Sequence, residues 1–315
     1  MKKIIALLLA FVLILCSFAG CAKEEKIDAK IGLAASAATH GWVAGVSYYA
    51  EKYCEEKGIE YNLTTSADAS EMEKNLNSLV EWGAQAVVIC PQWSGMEDAV
   101  QSVIDKGIPV VSFDFDIDCG GVYKVTGNNY DMGYQCAEYI TGKAGESAVI
   151  AMLTVPSAGS VSQLREQGFR DYLSEKNYDT KNIITVEEKS FSRDEGYNDM
   201  KKLLAENEHI DAVFSMDDEI SIGVVKAITE SGRTDIKAVT GGGGMQEYFN
   251  MISDADYANL GLASALYSPS MVIDAINTAA DLCNEKSSSK VVVIPTTIVS
   301  ADNVNEYIDP ENTVY

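Results

Sequence analysis

Arginine is nearly missing: the 315 residues hold four, Arg165, Arg170, Arg193 and Arg233. Lysine and arginine together number 24 against 47 acids, a formal net charge of −23. A surface of that sign repels phosphate backbones and anionic headgroups, which excludes nucleic-acid binding and electrostatic attachment to a membrane. Histidine is scarcer still, with only His40 and His209. There is no G-x-S-x-G and no H-E-x-x-H, so the sequence lacks the usual residues for a serine triad or a zinc protease. Cysteine is present seven times but never as C-x-x-C. Cys16 and Cys21 lie near the start, and the five that remain are an odd number. No disulfide framework or zinc site is expected, and the thiols are read as mostly buried. No apolar run reaches the ~20 residues of a membrane-spanning helix.

The first residues are of a different kind from the rest. Lys2 and Lys3 precede an uncharged apolar run over residues 4–15, and small Ala19 and Gly20 lead into Cys21. This is the pattern of an export signal over residues 1–20. Its ending, Phe18-Ala19-Gly20-Cys21, resembles the bacterial lipobox, with Phe18 where Leu is usual. The resemblance implies that Cys21 is lipidated and becomes the first mature residue. Removing residues 1–20 takes away two lysines and no acid, leaving a charge of −25. The membrane is then reached by the lipid anchor only. Residues 21–29 are polar and read as a tether without fixed structure.

From residue 30 onward, short apolar runs alternate with amphipathic stretches. Strands are expected over 30–35, 60–64, 86–90 and 109–113. Helices are expected over 42–57, 71–82 and 96–106, each followed by glycine. A second set follows in the same order: strands over 148–153, 183–188, 212–215 and 236–240, helices over 161–175, 195–206 and 220–231. Continuous β-branched runs between amphipathic helices denote a parallel sheet covered on both faces. The chain therefore reads as α/β, with two similar doubly wound parallel-sheet lobes. A further helix over 270–285 and a strand over 291–294 return the chain to the first lobe, and a short strand over 297–299 follows. The expected lobes are 30–126 plus 268–295 and 127–267 plus 296–315. They are joined by a three-strand hinge near Thr126–Asn128, Tyr267–Ser268 and Pro295–Thr296.

Ligands of open parallel sheets bind beyond the carboxyl ends of the strands. In the first lobe those loops carry Thr39, His40 and Trp42, then Ala67-Asp68, then Gln92-Trp93, then Asp114-Phe115-Asp116. In the second they carry residues 160–163, then Phe191-Ser192-Arg193, then Asp217-Asp218-Glu219, then Gly241 to Gly244. Aromatic faces and hydrogen-bonding groups interleave there. Such a mixture suits a sugar, which has an apolar C–H face and a hydroxyl rim. Each residue also has a plainer role open to it: Trp42, Trp93 or Phe191 as packing, Asp114 as a turn residue, Asp217 or Asp218 as a helix cap.

Several segments, in order, resemble the ribose and galactose class of periplasmic solute-binding proteins of ABC transporters. Ile108-Pro109-Val110-Val111-Ser112-Phe113-Asp114 is similar to that class's GIPVV-x-x-D strand. Gly127-Asn128-Asn129-Tyr130-Asp131-Met132-Gly133 is similar to its crossover. Arg165-Glu166-Gln167-Gly168-Phe169 is similar to its R-x-x-GF helix. Ile210 to Phe214, followed by Asp218-Glu219, is similar to its IDAVF-x-x-NDE. The resemblance covers about residues 30–304 and implies a periplasmic-binding-protein type I fold and no cofactor. It implies ligand contacts at His40, Trp42, Asp114, Gln163, Phe191, Asp217 and Tyr267, to which the loop positions add Trp93 and Phe115. Phe115 and Gln163 stand where that class has arginine, and Gly242 where it has an aspartate. A small neutral sugar or sugar-like ligand is therefore expected, rather than an anion.

The resemblance implies a monomer that closes on its ligand and docks on a membrane permease, outside the cell membrane or in the periplasm. The alternative is a sensor subunit that presents a bound signal to a receptor. Other chemistries fit poorly. Gly241 to Gly244 follows a strand, but Gln246 and Glu247 break any dinucleotide fingerprint, so a backbone-lined cleft wall is the reading. Asp114, Asp116 and Asp118 begin like a calcium loop, but Cys119 and Val125 stand where Gly and Glu are needed, so no metal is expected. Carboxylate pairs occur in the loops, yet duplicated lobes around one aromatic cleft favour capture over turnover, so no enzyme is expected.

Overall fold

A computed structural model describes residues 26–38, 41–312 and 315. The export signal, Cys21 and His40 lie outside the described residues. The part of the tether that is described is not free. Ile27 donates to the Lys57 carbonyl at 3.1 Å, and the Ala29 carbonyl accepts from Glu60. Ala29 is buried. Apolar Ile27 and Ala29 run straight into the first strand and join its core.

Two six-stranded sheets form the molecule. The first contains β1 (Lys30–Ser36), β2 (Glu60–Ser66), β3 (Ala86–Cys90), β4 (Val110–Phe113), β5 (Tyr123–Gly127) and β11 (Val291–Ile294). Their order is β11-β5-β4-β3-β1-β2 and every pairing is parallel. The second contains β6 (Ile150–Thr154), β7 (Ile183–Glu187), β8 (Ala212–Ser215), β9 (Ala238–Gly243), β10 (Leu262–Leu266) and β12 (Ile298–Ser300). Their order is β12-β10-β9-β8-β6-β7, parallel except for β12 against β10. Within each sheet the first five strands run 2-1-3-4-5, the doubly wound order whose switch point lies between strands 1 and 3. The duplication read from the sequence is thus a duplication of topology.

The helices are α1 (Gly41–Lys57), α2 (Ala69–Trp82), α3 (Glu97–Ile104), α4 (Asn129–Ala144), α5 (Ser160–Glu175), α6 (Arg193–Glu206), α7 (Asp218–Ser231), α8 (Gln246–Ser253) and α9 (Val272–Cys283). Their ends follow local chemistry. Asp68 caps α2 by accepting from the Glu71 amide, and Gly83 closes it in the left-handed conformation. β3 and β8 are buried at every position, as strands covered by helices on both faces must be.

Four elements depart from the pattern read in the sequence: β5, α4, α8 and β10. The buried stripe of α4 is Asn129, Met132, Gly133, Cys136, Ala137, Ile140 and Thr141. The spacing is helical, but small and polar residues hide it. They are small because α4 crosses α5 at backbone contact. A Cβ on Gly133 would overlap the Arg165 carbonyl, and one on Gly168 would overlap the Tyr130 carbonyl.

The chain passes from the first sheet to the second after β5, returns after β10, and leaves again between β11 and β12. The carboxyl ends of β1, β3 and β4 face those of β6, β8 and β9 across a cleft. All five cysteines among the described residues are free, with Cys54, Cys90 and Cys136 buried.

Candidate functional site

A cavity of about 40 Å³ lies where the two sheets' strand ends meet. From the first sheet it is lined by Trp42, Gln92, Asp114 and Phe115, and from the second by Arg165, Phe191, Asp217 and the backbone of Gly242 and Gly243. Tyr267, on the return crossing, and Tyr315 complete the wall. An outer basin of about 570 Å³ shares Gln92 and Phe191 and is edged by Lys189, Arg193 and Glu219.

Trp42 enters at the start of α1 because β1 ends five residues earlier, at the switch point. Its ring stacks on Phe113 at 5.9 Å, and its Nε1 donates to the Tyr267 carbonyl at 2.8 Å. The indole therefore presents a fixed apolar face and has no donor left to spend.

Asp114 follows β4 with φ +66°, a left-handed backbone that an aspartate tolerates at a cost. Its Oδ1 accepts a short bond from the Tyr267 hydroxyl. That hydroxyl accepts from Asn129 Nδ2 at 3.0 Å and lies 3.3 Å from Thr126 Oγ1. Asn129 Oδ1 in turn accepts from Arg165 Nε at 2.8 Å, and Arg165 donates to the Met216 carbonyl at 2.6 Å. The Arg165 guanidinium sits over the Tyr267 ring, 4.8 Å from its centre. One connected polar chain thus joins Asp114 of the first sheet to Arg165 of the second through the crossings. Burial raises the Asp114 carboxyl above its ordinary value, while the Tyr267 bond and the Arg165 charge pull it back.

Asp217 caps α7, its Oδ1 accepting from the Ile220 amide at 2.9 Å. Burial, helped by the neighbouring charges of Asp218 and Glu219, pushes its carboxyl up to about 7. Asp218 Oδ2 accepts from the amides of Gly244 and Met245 and from Ser264 Oγ, and burial raises that carboxyl to about 6. The capping role and the cleft position coincide in Asp217.

The structure brings together Trp42, Asp114, Phe115, Phe191, Asp217 and Tyr267 of the residues singled out in the sequence. Trp93 is not among the lining residues. Its ring packs against the core on the outer face of the first sheet, and Gln92 lines the cavity instead. Gln163 is exposed on α5, and Arg165, two residues on and so on another face of the helix, reaches the cavity. Gln92 belongs to a loop that the strand-end rule selects, whereas Arg165 and Tyr315 are not among the contacts expected from the sequence. The R-x-x-GF segment held a signal for Arg165. Nothing in the sequence marks Tyr315. Among the described residues no group of His, Cys, Asp and Glu is arranged to hold a metal ion.

A family model described as periplasmic binding protein domain matches residues 31–287. The ribose import binding protein of Bacillus subtilis is 26% identical over 310 residues, covering 94% of this chain and 98% of that one. A xylitol-binding protein of Mycolicibacterium smegmatis is 25% identical over 248 residues, covering 77% and 68%. Both relatives are binding proteins, not enzymes. Among solved structures, an ABC transporter solute-binding protein from Mycobacterium smegmatis with bound glycerol superimposes with a TM-score of 0.80 at 23% identity. That match covers 91% of this chain and 99% of the other.

Proposed function

Because this chain belongs to the periplasmic binding protein family, we propose that it is an exported solute-binding lipoprotein, anchored through Cys21, that captures a small neutral sugar or polyol and delivers it to an ABC transporter permease. The observation that carries the reading is a buried cleft whose walls come from both sheets, with an aromatic face at Trp42 and carboxylates at Asp114 and Asp217. Relatives that bind ribose and xylitol fall in the same ligand class.

The charges select for neutrality. Asp114, Asp217 and Asp218 lie in or behind the wall, and the one guanidinium lining the cavity, Arg165, is already committed to Asn129 and Met216. An anion seated in the inner cavity would lie among carboxylates with Arg165 already engaged, at a desolvation cost that is poorly repaid. A polyol hydroxyl donates to those carboxylates and lays its C–H face on Trp42.

Residues 30–126 plus 268–295 form one lobe, and 127–267 plus 296–315 the other. They close as a hinge about the three crossings. A ligand touching both lobes favours the closed state by its differential affinity, and the closed state is what a permease recognises. Thermal unfolding against a panel of pentoses, hexoses, pentitols and glycerol tests this. At least one neutral member raises Tm, and ribose 5-phosphate does not. Stabilisation by phosphorylated or carboxylated members alone refutes the reading.

A further inference from the structure

Tyr315 occupies the cleft. It is 3% exposed, and it lines the same cavity as Trp42, Asp114 and Asp217. Its slot is built by glycines of both lobes. A Cβ on Gly41 or Gly45 of α1 would come within 3.3 Å of the Tyr315 ring or Cβ, and one on Gly243 of β9 would overlap its hydroxyl oxygen. A side chain at Gly243 would exclude the hydroxyl, and Gly41 and Gly45 let the ring lie close against α1.

The segment leading to Tyr315 is fastened to both sides. Gln246, on α8, donates to the Tyr307 carbonyl at 3.1 Å and accepts from the Asp309 amide at 2.8 Å. Asn312 donates to the Tyr49 hydroxyl on α1 at 2.7 Å. The Tyr315 amide is fixed by Asn312 Oδ1. The chain thus bridges the lobes and turns its tyrosine inward.

Two features make this a removable occupant. The Tyr315 hydroxyl is buried against Gly243 without a hydrogen-bond partner among the described residues. Seating the ring therefore leaves a polar atom unsatisfied. The inner cavity keeps only about 40 Å³ beside the ring, too little for a pentose, although it shares Gln92 and Phe191 with the outer basin.

We infer that Tyr315 is an internal competitor for the cleft, and that a neutral sugar or polyol of pentose size binds by displacing its ring. The inference rests on the ligand class proposed above. While seated, the ring offers both lobes an apolar face and a hydroxyl, in place of the C–H face and hydroxyls such a ligand would supply. Ligand affinity is then reduced by the fraction of molecules in which the ring is seated.

The test compares wild type with Tyr315→Ala and Tyr315→Phe by calorimetry against ribose, xylitol and glucose, after circular dichroism confirms folding. Tyr315→Ala binds at least tenfold more tightly than wild type, and Tyr315→Phe, which keeps the ring and sheds the unpartnered hydroxyl, binds no more tightly than wild type. Equal or weaker binding by Tyr315→Ala overturns the inference, the weaker case making Tyr315 a ligand contact. A second readout needs no ligand. Nitration with tetranitromethane, mapped by mass spectrometry, spares Tyr315 in the sugar-free protein while the more exposed Tyr307 reacts. Nitration of Tyr315 at the rate of free tyrosine overturns the inference even where the whole panel fails to bind, a failure that counts against the proposed ligand class alone.

Discussion

Replacing Tyr267 by Phe removes one oxygen atom from the centre of the polar chain. That oxygen donates to Asp114 Oδ1 and accepts from Asn129. The ring and its contact with Arg165 remain, so packing is nearly unchanged. Leaving a buried carboxylate without its donor costs about 1–3 kcal/mol, toward the upper end for a charged acceptor. The cost depends on pH, and its sign follows from linkage. Burial raises the folded-state value of Asp114 above that of the unfolded chain. Between those two values the folded protein holds more protons, so stability falls as pH rises through that window. The Tyr267 bond lowers the folded value, so losing it extends the window upward. The deficit of Tyr267→Phe is therefore smallest near pH 4, about 1 kcal/mol, and grows to about 2–3 kcal/mol at pH 8. Scanning calorimetry reads the latter as a Tm loss of roughly 4–8 °C. A deficit that is constant from pH 4 to pH 8, or below about 0.5 kcal/mol throughout, refutes the assignment of this bond as the support of a buried carboxylate.

Three other outcomes follow from the same geometry. Asp217→Asn keeps the cap on Ile220 but removes a carboxyl raised to about 7; wild type loses stability as pH rises from about 4 through about 7, the variant loses less because only Asp114 and Asp218 still titrate there in the cleft wall, and urea midpoints show the variant ahead by about 2 kcal/mol at pH 8 and level at pH 4. On α4 two glycines respond in opposite directions in urea unfolding: Gly133→Ala, blocked by the Arg165 carbonyl, loses about 3 kcal/mol or more, whereas Gly142→Ala, exposed with open space around it, gains up to about 1 kcal/mol. Cys21→Ser moves the exported protein from the detergent-soluble membrane fraction to the aqueous fraction, and retention on the membrane contradicts lipid anchoring.

The duplicated architecture was legible because β3 and β8 are short buried apolar runs and α1, α2 and α7 end at glycine, both of which are local signals. α4 was not, since close helix crossing demands small residues and these erase the hydropathy stripe. The site was legible where a residue directly follows a strand, as with Asp114 and Asp217. Next to these it erred by one or two positions. Trp93 turns back onto the core while Gln92 faces the cavity, and on α5 the face that reaches inward carries Arg165 and not Gln163. Strand ends give the loop, but the rotation of a side chain about the backbone depends on packing that no local pattern records. Tyr315 is the extreme case. It reaches the cleft through contacts with α1, β9 and α8, all distant in sequence.

Native mass spectrometry of the purified lipid-free protein tests the central claim most directly. The account predicts an adduct that is released on denaturation, has the mass of a neutral sugar or polyol, and is lost from Asp114→Ala and from Trp42→Ala at unchanged fold. A bound anion or nucleotide in its place, or an adduct that survives both substitutions, would contradict it.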